Sequence, residues 1–282
     1  MPKTLILQRP FITRPENIQG VSPFIAQILA RRGVQSEQEL ELKLKYLLAP
    51  NMKGLEQAIQ IMDQAIDENK KIVIVGDYDA DGATSTTLMV LALRDMGANV
   101  KYLVPDRFKY GYGLTPKIAD LAFSRYQPDL LITVDNGISS HAGVEQAQAH
   151  GMQVIITDHH LTTKKTPNAE AVVNPNQLGC DFPSKALAGV GVAFYLLANL
   201  SSHRSKLGKS TSKVAQYLDL VALGTYADVA SLDYNNRILV DAGVKRIQQN
   251  QCRSGISALL DIAGRDPSQL KAQDLGFVLG PR

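Results

Sequence analysis

The chain has 282 residues, 45% of them hydrophobic and 20% charged, with a formal net charge of +3. That length builds one large domain or two ordinary ones around a sizeable core, and the mild charge permits a nucleic-acid partner without arguing for one. No apolar run approaches the ~20 residues of a membrane span, Leu5 to Leu7 is too short for a signal peptide, and Cys180 and Cys252 lack CxxC spacing, which together suit a cytoplasmic protein with reduced thiols and no membrane partner.

Residues 1–54 read as a helical leader. Segments 22–33 and 36–48 have the composition of short helices, with Ser22 and Ser36 placed as N-caps. Arg31, Arg32, Lys43 and Lys45 read as solvated faces. From Gly54 a regular alternation begins. Residues 55–69 form an amphipathic pattern with Leu55, Ile59, Met62 and Ile66 on one stripe. The apolar strand 72–75 follows, then a helix ending at Gly97, with Thr84 and Ser85 as capping hydroxyls at its start. Strand 100–105 leads through a Gly/Tyr-rich loop to helix 116–126. Strand 129–135 leads to a helix from His141, and strands 153–158 and 171–175 follow. Such alternation predicts an α/β fold: a Rossmann-like, mostly parallel sheet of about five strands, covered by helices on both faces. Residues 185–200 read as an apolar helix whose small residues allow close packing. The Ser/Lys-rich stretch 201–213 reads as a surface loop or basic linker. Residues 214–282 read as a helical extension, broken near Gly224, with helices around 236–249 and 255–263. The chain stops at Arg282 directly after an apolar segment, which suggests a fragment cut before another domain.

Polar residues collect where ligands bind such sheets, at the carboxyl ends of the strands. DYDADG places Asp77, Asp79 and Asp81 on alternate positions after the first strand. Three carboxylates so close repel one another unless a cation neutralises them, and carboxylates are the hard ligands that Mg²⁺ or Mn²⁺ prefers. The following helix start, with Ser85, offers N–H groups to an anion. An EF-hand is excluded, because its twelfth loop position is Leu88 rather than Glu and a strand precedes it. Asp158, His159 and His160 end the fourth strand. One imidazole there suits a metal and the other a phosphate. Asp135 ends the third strand, where a carboxylate bridges two cations or caps the next helix. Arg107 suits a phosphate clamp and Tyr112 a stacking platform, the alternative being an ordinary loop. Asp228 is either a further ligand or an ion-pair partner of Arg237.

DYDADG, TVDNG, TDHH and ALGTYAD, in that order, resemble the signature set of the DHH phosphoesterase superfamily, and the longer segments around them resemble its RecJ-type single-strand exonucleases. The resemblance implies hydrolysis of single-stranded DNA from the 5′ end to nucleoside 5′-monophosphates, in DNA repair and recombination, with two Mn²⁺ or Mg²⁺ ions. It implies Asp79, Asp81, Asp135, His159 and Asp228 as metal ligands, with Asp135 shared, and Asp77 and Asp158 as ligands or their support. His160 and Arg107 would meet the scissile phosphate, with Tyr112 and Ser85 among the substrate contacts. A helicase and a single-strand binding protein are implied partners. The division implied is a leader over 1–54, the phosphoesterase domain over 55–200, the linker 201–213 and an extension over 214–282 carrying the last ligand. The alternatives are a small-substrate phosphodiesterase of the same superfamily, for oligoribonucleotides or cyclic dinucleotides, and a catalytically weak or non-catalytic DNA-binding subunit.

Overall fold

The computed structural model describes residues 18, 20–162 and 165–282. The chain divides into two compact units, Met1–Lys43 and Leu44–Arg282. In the first, α1 (Pro23–Arg31) starts as expected, with the Ser22 hydroxyl accepting from the Ile25 N–H at 3.3 Å. The helix expected over 36–48 does not form. Only 3₁₀ turns at Glu37–Leu40 and Leu44–Tyr46 are present, and Ser36 makes no side-chain cap. Leu40 and Leu44 remain exposed, so no buried apolar face offsets the cost of nucleating a short helix.

The larger unit runs α2 (Leu55–Asp67), β1 (Lys71–Gly76), α3 (Ala80–Asp95), β2 (Asn99–Leu103), α4 (Arg107–Tyr110), α5 (Pro116–Tyr126), β3 (Leu130–Val134), α6 (His141–Ala149), β4 (Gln153–Thr157), β5 (Ala171–Val173), α7 (Gly189–Lys206), α8 (Leu218–Ala227), α9 (Tyr234–Gln248) and α10 (Ser254–Ile262). All strand pairs are parallel, in the order β2-β1-β3-β4-β5. The strands are apolar throughout because helices cover both faces, and side chains alternate between two cores. Ile72 and Ile74 of β1 face the larger core with α2, α3, α7 and α8; Val73 and Val75 face the smaller one with α5 and α6. The order reverses at β1, where the chain goes first to β2 and then to β3 on the other side. That reversal opens a crevice above the carboxyl ends of β1 and β3.

Three expectations are corrected. Residues 201–213 are not a surface linker: α7 continues to Lys206, and Ser201, Arg204 and Ser212 are buried. The Arg204 guanidinium reaches Asp63 at 2.5 Å and Asp67 at 3.0 Å on α2, so a basic composition reflects an internal ion pair. No break occurs at Gly224. It lies inside α8, where an added Cβ would stand 2.2 Å from the Thr84 hydroxyl, so the glycine permits helix contact. Finally, α3 begins at Ala80, capped by Asp79, whose carboxylate accepts from the Gly82 N–H at 2.9 Å.

Candidate metal centre

Each strand end contributes one group to the crevice, and the helices behind it fix their orientation. After β1, Asp77 is buried and Asp79 exposed. Asp81 occupies the first turn of α3 and is buried. Its two oxygens accept from the Gly189 N–H at 2.6 Å and the Val190 N–H at 2.9 Å, the start of α7. A carboxylate against a helix N-terminus is a favourable pairing, and it locks α7 to α3. Gly189 is also required on steric grounds, since a Cβ there would lie 2.7 Å from the Asp135 Cβ. Asp135 follows β3 with φ of 60°, a left-handed backbone unusual for aspartate. Asn136 holds that turn, its amide donating to the Val134 carbonyl at 2.8 Å and the Val75 carbonyl at 3.2 Å.

Asp158, after β4, is fully occupied within the protein. It accepts from the Ile138 N–H at 2.8 Å, the His159 N–H at 2.7 Å, the His160 N–H at 3.0 Å and the His160 ring Nδ1 at 2.7 Å. Burial opposes ionisation of this carboxyl, but these donors hold it below the usual carboxylate range. The same Asp158 bond raises the His160 pKa, against burial, and turns Nε2 outward, 3.2 Å from the Tyr112 hydroxyl. Asn174 and Asn176 clip this loop from β5, donating to the carbonyls of His160 at 3.0 Å and His159 at 2.5 Å.

His159 Nε2 lies 3.1 Å from Asp135 Oδ1, 3.8 Å from Asp81 Oδ2 and 3.9 Å from Asp228 Oδ2. Asp228 arrives at the C-terminal end of α8. Among the described residues, three trios have ligand atoms within 4.8 Å of one another: Asp135–His159–His160, Asp81–His159–Asp228 and Asp77–Asp79–Asp135. They overlap at Asp135 and His159. His159 Nε2 and Asp135 Oδ1 are both buried and without a hydrogen-bond partner. Two lone-pair-bearing atoms facing one point, ringed by carboxylates, have the donor chemistry of a divalent-cation site. The electrostatics agree. Burial first, and then the neighbouring charges of Asp81 and Asp79, push the Asp135 carboxyl far above the ordinary range. Asp81 rises to about 6, chiefly by burial, and Asp228 also rises through burial. A cation would relieve this crowding.

Arg107 sits at the rim on α4. It donates to Asp77 at 3.0 Å, and its guanidinium lies 6.0 Å from the Tyr78 ring and 5.8 Å from Tyr112. One expectation fails here. Ser85 is fully buried inside α3, out of reach of any substrate. Of the two roles expected for Asp158, ligand or support, the structure shows the support of His160. The sequence reading missed Gly189, Asn176 and Tyr78. The glycines within 185–200 were the one signal for the first; Tyr78, 62% exposed between two site aspartates, was the signal for the last.

The DHH family, N-terminal domain, matches residues 71–225. The chain is 53% identical over 99% of its length to the single-stranded-DNA-specific exonuclease RecJ of Dickeya dadantii, covering 50% of that protein, and 52% identical over 92% of its length to that of Escherichia coli, covering 46%. It thus spans about half the length of these relatives. Among solved structures, it is similar to the RecJ–Mn²⁺ complex of Thermus thermophilus, with 33% identity, a TM-score of 0.75, and coverage of 93% of this chain and 36% of that one.

Proposed function

The chain belongs to the DHH family, and on that premise we propose that it carries the hydrolytic centre of a single-stranded-DNA-specific exonuclease acting 5′ to 3′ and releasing nucleoside 5′-monophosphates. The observation that carries the reading is the pair of orphaned buried atoms, His159 Nε2 and Asp135 Oδ1, within the overlapping trios of ligands. Similarity to exonucleases over nearly the whole chain supports the substrate.

In this reading Asp79, Asp81, Asp135, His159 and Asp228 would hold two Mn²⁺ or Mg²⁺ ions, with Asp135 shared and Asp77 as a further ligand. Bound in pairs, such cations supply an acidified water for in-line attack and neutralise charge on the phosphorus and the leaving 3′-oxygen. The chain's own groups do the rest. Asp158 holds the His160 ring by Nδ1, so that Nε2 donates to a phosphoryl oxygen. Arg107, its guanidinium 6.0 Å from the Tyr78 ring and 5.8 Å from the Tyr112 ring, adds a second charged donor. Asp81 keeps α7 seated against α3, and so fixes the position of Asp135. The setting would be repair and recombination in the cytoplasm, with a helicase and a single-strand binding protein as partners. The phosphoesterase domain would start near residue 55.

Calorimetric titration with Mn²⁺ tests the site directly: the wild-type chain should bind two ions, and Asp135→Ala should lose both. Hydrolysis of 5′-phosphorylated single-stranded DNA, compared with dinucleotides and pyrophosphate, tests the substrate. Preference for the small substrates, or an Asp135→Ala chain that binds Mn²⁺ normally, would overturn the reading.

A further inference from the structure

We propose, resting on the hydrolytic reading above, that Arg107 couples cation binding to phosphate binding. Its guanidinium competes with a divalent cation for Asp77, and turns to the phosphate once the cation has taken that carboxylate.

Asp77 is buried, and the Tyr78 N–H fixes its carboxylate by donating to Oδ1 at 2.7 Å. The same oxygen accepts from Arg107 Nη2 at 3.0 Å. Asp77 also belongs to the trio with Asp79 and Asp135, whose ligand atoms lie within 4.8 Å of one another. A guanidinium bonded to one member of that trio therefore stands beside any cation the trio holds. Like charges at such range in a partly buried site repel strongly, and the divalent ion carries the larger charge. Arg107 and the cation thus weaken each other's hold on Asp77.

The way Arg107 is held suits a group that lets go. Arg204 shows what a structural arginine looks like in this chain: it is buried, and Nε, Nη1 and Nη2 all donate, to Ser210, Asp63 and Asp67. Arg107 donates to Asp77 through Nη2, and its Nε is buried without a hydrogen-bond partner among the described residues. A fork used so sparingly has donors left for a second acceptor, and phosphate oxygens take such donors in pairs. The exposed rings of Tyr78 and Tyr112 flank the guanidinium and keep it at the rim when the bond to Asp77 is lost. The backbone can stay where it is. Asp106 caps the single turn of α4 by accepting from the Phe108 N–H at 2.9 Å, and the Ser140 hydroxyl accepts from the Leu114 N–H at 3.0 Å. Release is then a change of side-chain rotamer on an anchored loop. The coupling is reciprocal: a phosphate that draws Arg107 away from Asp77 also tightens the cation.

The test is calorimetric titration of the full chain with Mn²⁺, without and with thymidine 5′-monophosphate, for the wild type and for Arg107→Gln, Arg107→Lys and Lys109→Gln. Lys109 is the control, a cation on the same turn that lies over the Tyr110 ring at 5.1 Å rather than on Asp77. Thermal melts check that the variants fold. Without nucleotide, Arg107→Gln should bind the more weakly held Mn²⁺ about tenfold tighter than the wild type, the worth of one charge-assisted hydrogen bond. Arg107→Lys keeps the competing charge and should stay within about threefold of the wild type. Lys109→Gln should match the wild type. With nucleotide, the wild type should gain more Mn²⁺ affinity than Arg107→Gln does, because only the wild type has a bond to Asp77 to give up. Equal tightening in Arg107→Gln and Lys109→Gln would reduce the effect to net charge and overturn the coupling. An Arg107→Gln chain with unchanged or weaker Mn²⁺ binding would overturn it too. Both results leave the metal centre standing, whereas a wild type that takes up no Mn²⁺ overturns the hydrolytic reading and the coupling together.

Discussion

Asp135 is held in place by its neighbours more than by its own preferences. Its left-handed backbone is one that aspartate enters at some cost, and the N-terminus of α7 presses on it where Gly189 has no side chain. A methyl group at Gly189 would have to displace the Asp135 side chain, whose Cβ and Oδ1 would both lie 2.7 Å from it. Gly189→Ala should therefore destabilise the chain by about 1–3 kcal/mol, as overpacking does, and weaken Mn²⁺ binding by more than that loss alone explains. Gly191→Ala is the control. Its added carbon meets a flexible Leu187 methyl at 2.9 Å, so melting temperature and Mn²⁺ affinity should stay near wild type. Equal effects from both substitutions in a melt and a calorimetric titration would show that the Gly189 contact is not special. This site was partly legible in the sequence. Carboxylates and histidines at strand ends announce themselves because their charge has no other use beside an apolar strand. Gly189, Asn176 and the burial of Ser85 do not, because each depends on which other segment the fold brings against it.

At the scale of elements, a parallel sheet was readable because strands buried on both faces are nearly continuous apolar runs, and the helices between them keep a 3.6-residue period. The helices after residue 200 were harder to read. A charged helix end that packs on another helix resembles a linker until its partner is seen, as Arg204 with Asp63 demonstrates. Asp219 is a second such case. It lies in the first turn of α8, fully buried, and accepts from the Arg253 N–H at 2.6 Å, which ties α8 to the start of α10. Burial raises its pKa, although Arg253 partly counters this. The folded chain therefore binds this proton more tightly than the unfolded chain does. Above the unfolded value near 3.8, the folded state holds more protons, so stability from this group falls as pH rises. Asp219→Asn removes that dependence. The melting temperature of the variant minus that of the wild type should grow between about pH 4 and pH 7. A difference that stays flat or shrinks over that range would show that Asp219 is not held with a raised pKa.

At the scale of the molecule, the metal centre and the core are inseparable. Asp77, Asp79 and Asp81 come from the β1–α3 connection, Asp135 and His159 from the ends of β3 and β4, and Asp228 from α8, which packs on α3 and α9. The larger core runs without interruption from Met52 to Leu279, so the helices after residue 213 complete the same core as the sheet and are not an appendage to it. Every candidate ligand and every residue of both cores lies within 44–282, whereas residues 1–43 form a unit of their own. Two truncations should thus behave oppositely. A chain of residues 44–282 should melt cooperatively within a few degrees of the full chain and bind Mn²⁺ with the same stoichiometry. A chain ending at residue 213 loses Asp228 and exposes the faces of α3 and α7 that α8 covers. Burying a single large apolar side chain is worth about 1.5–3 kcal/mol, and α8 and α9 bury many, so the loss exceeds the ~5–15 kcal/mol by which domains are stable. That shorter chain should show no sharp melt, should bind a hydrophobic dye, and should take up no Mn²⁺ in calorimetry. A cooperative, Mn²⁺-binding chain of residues 1–213 would refute the single-core account, because the sheet and its ligands would then stand without the helices that follow.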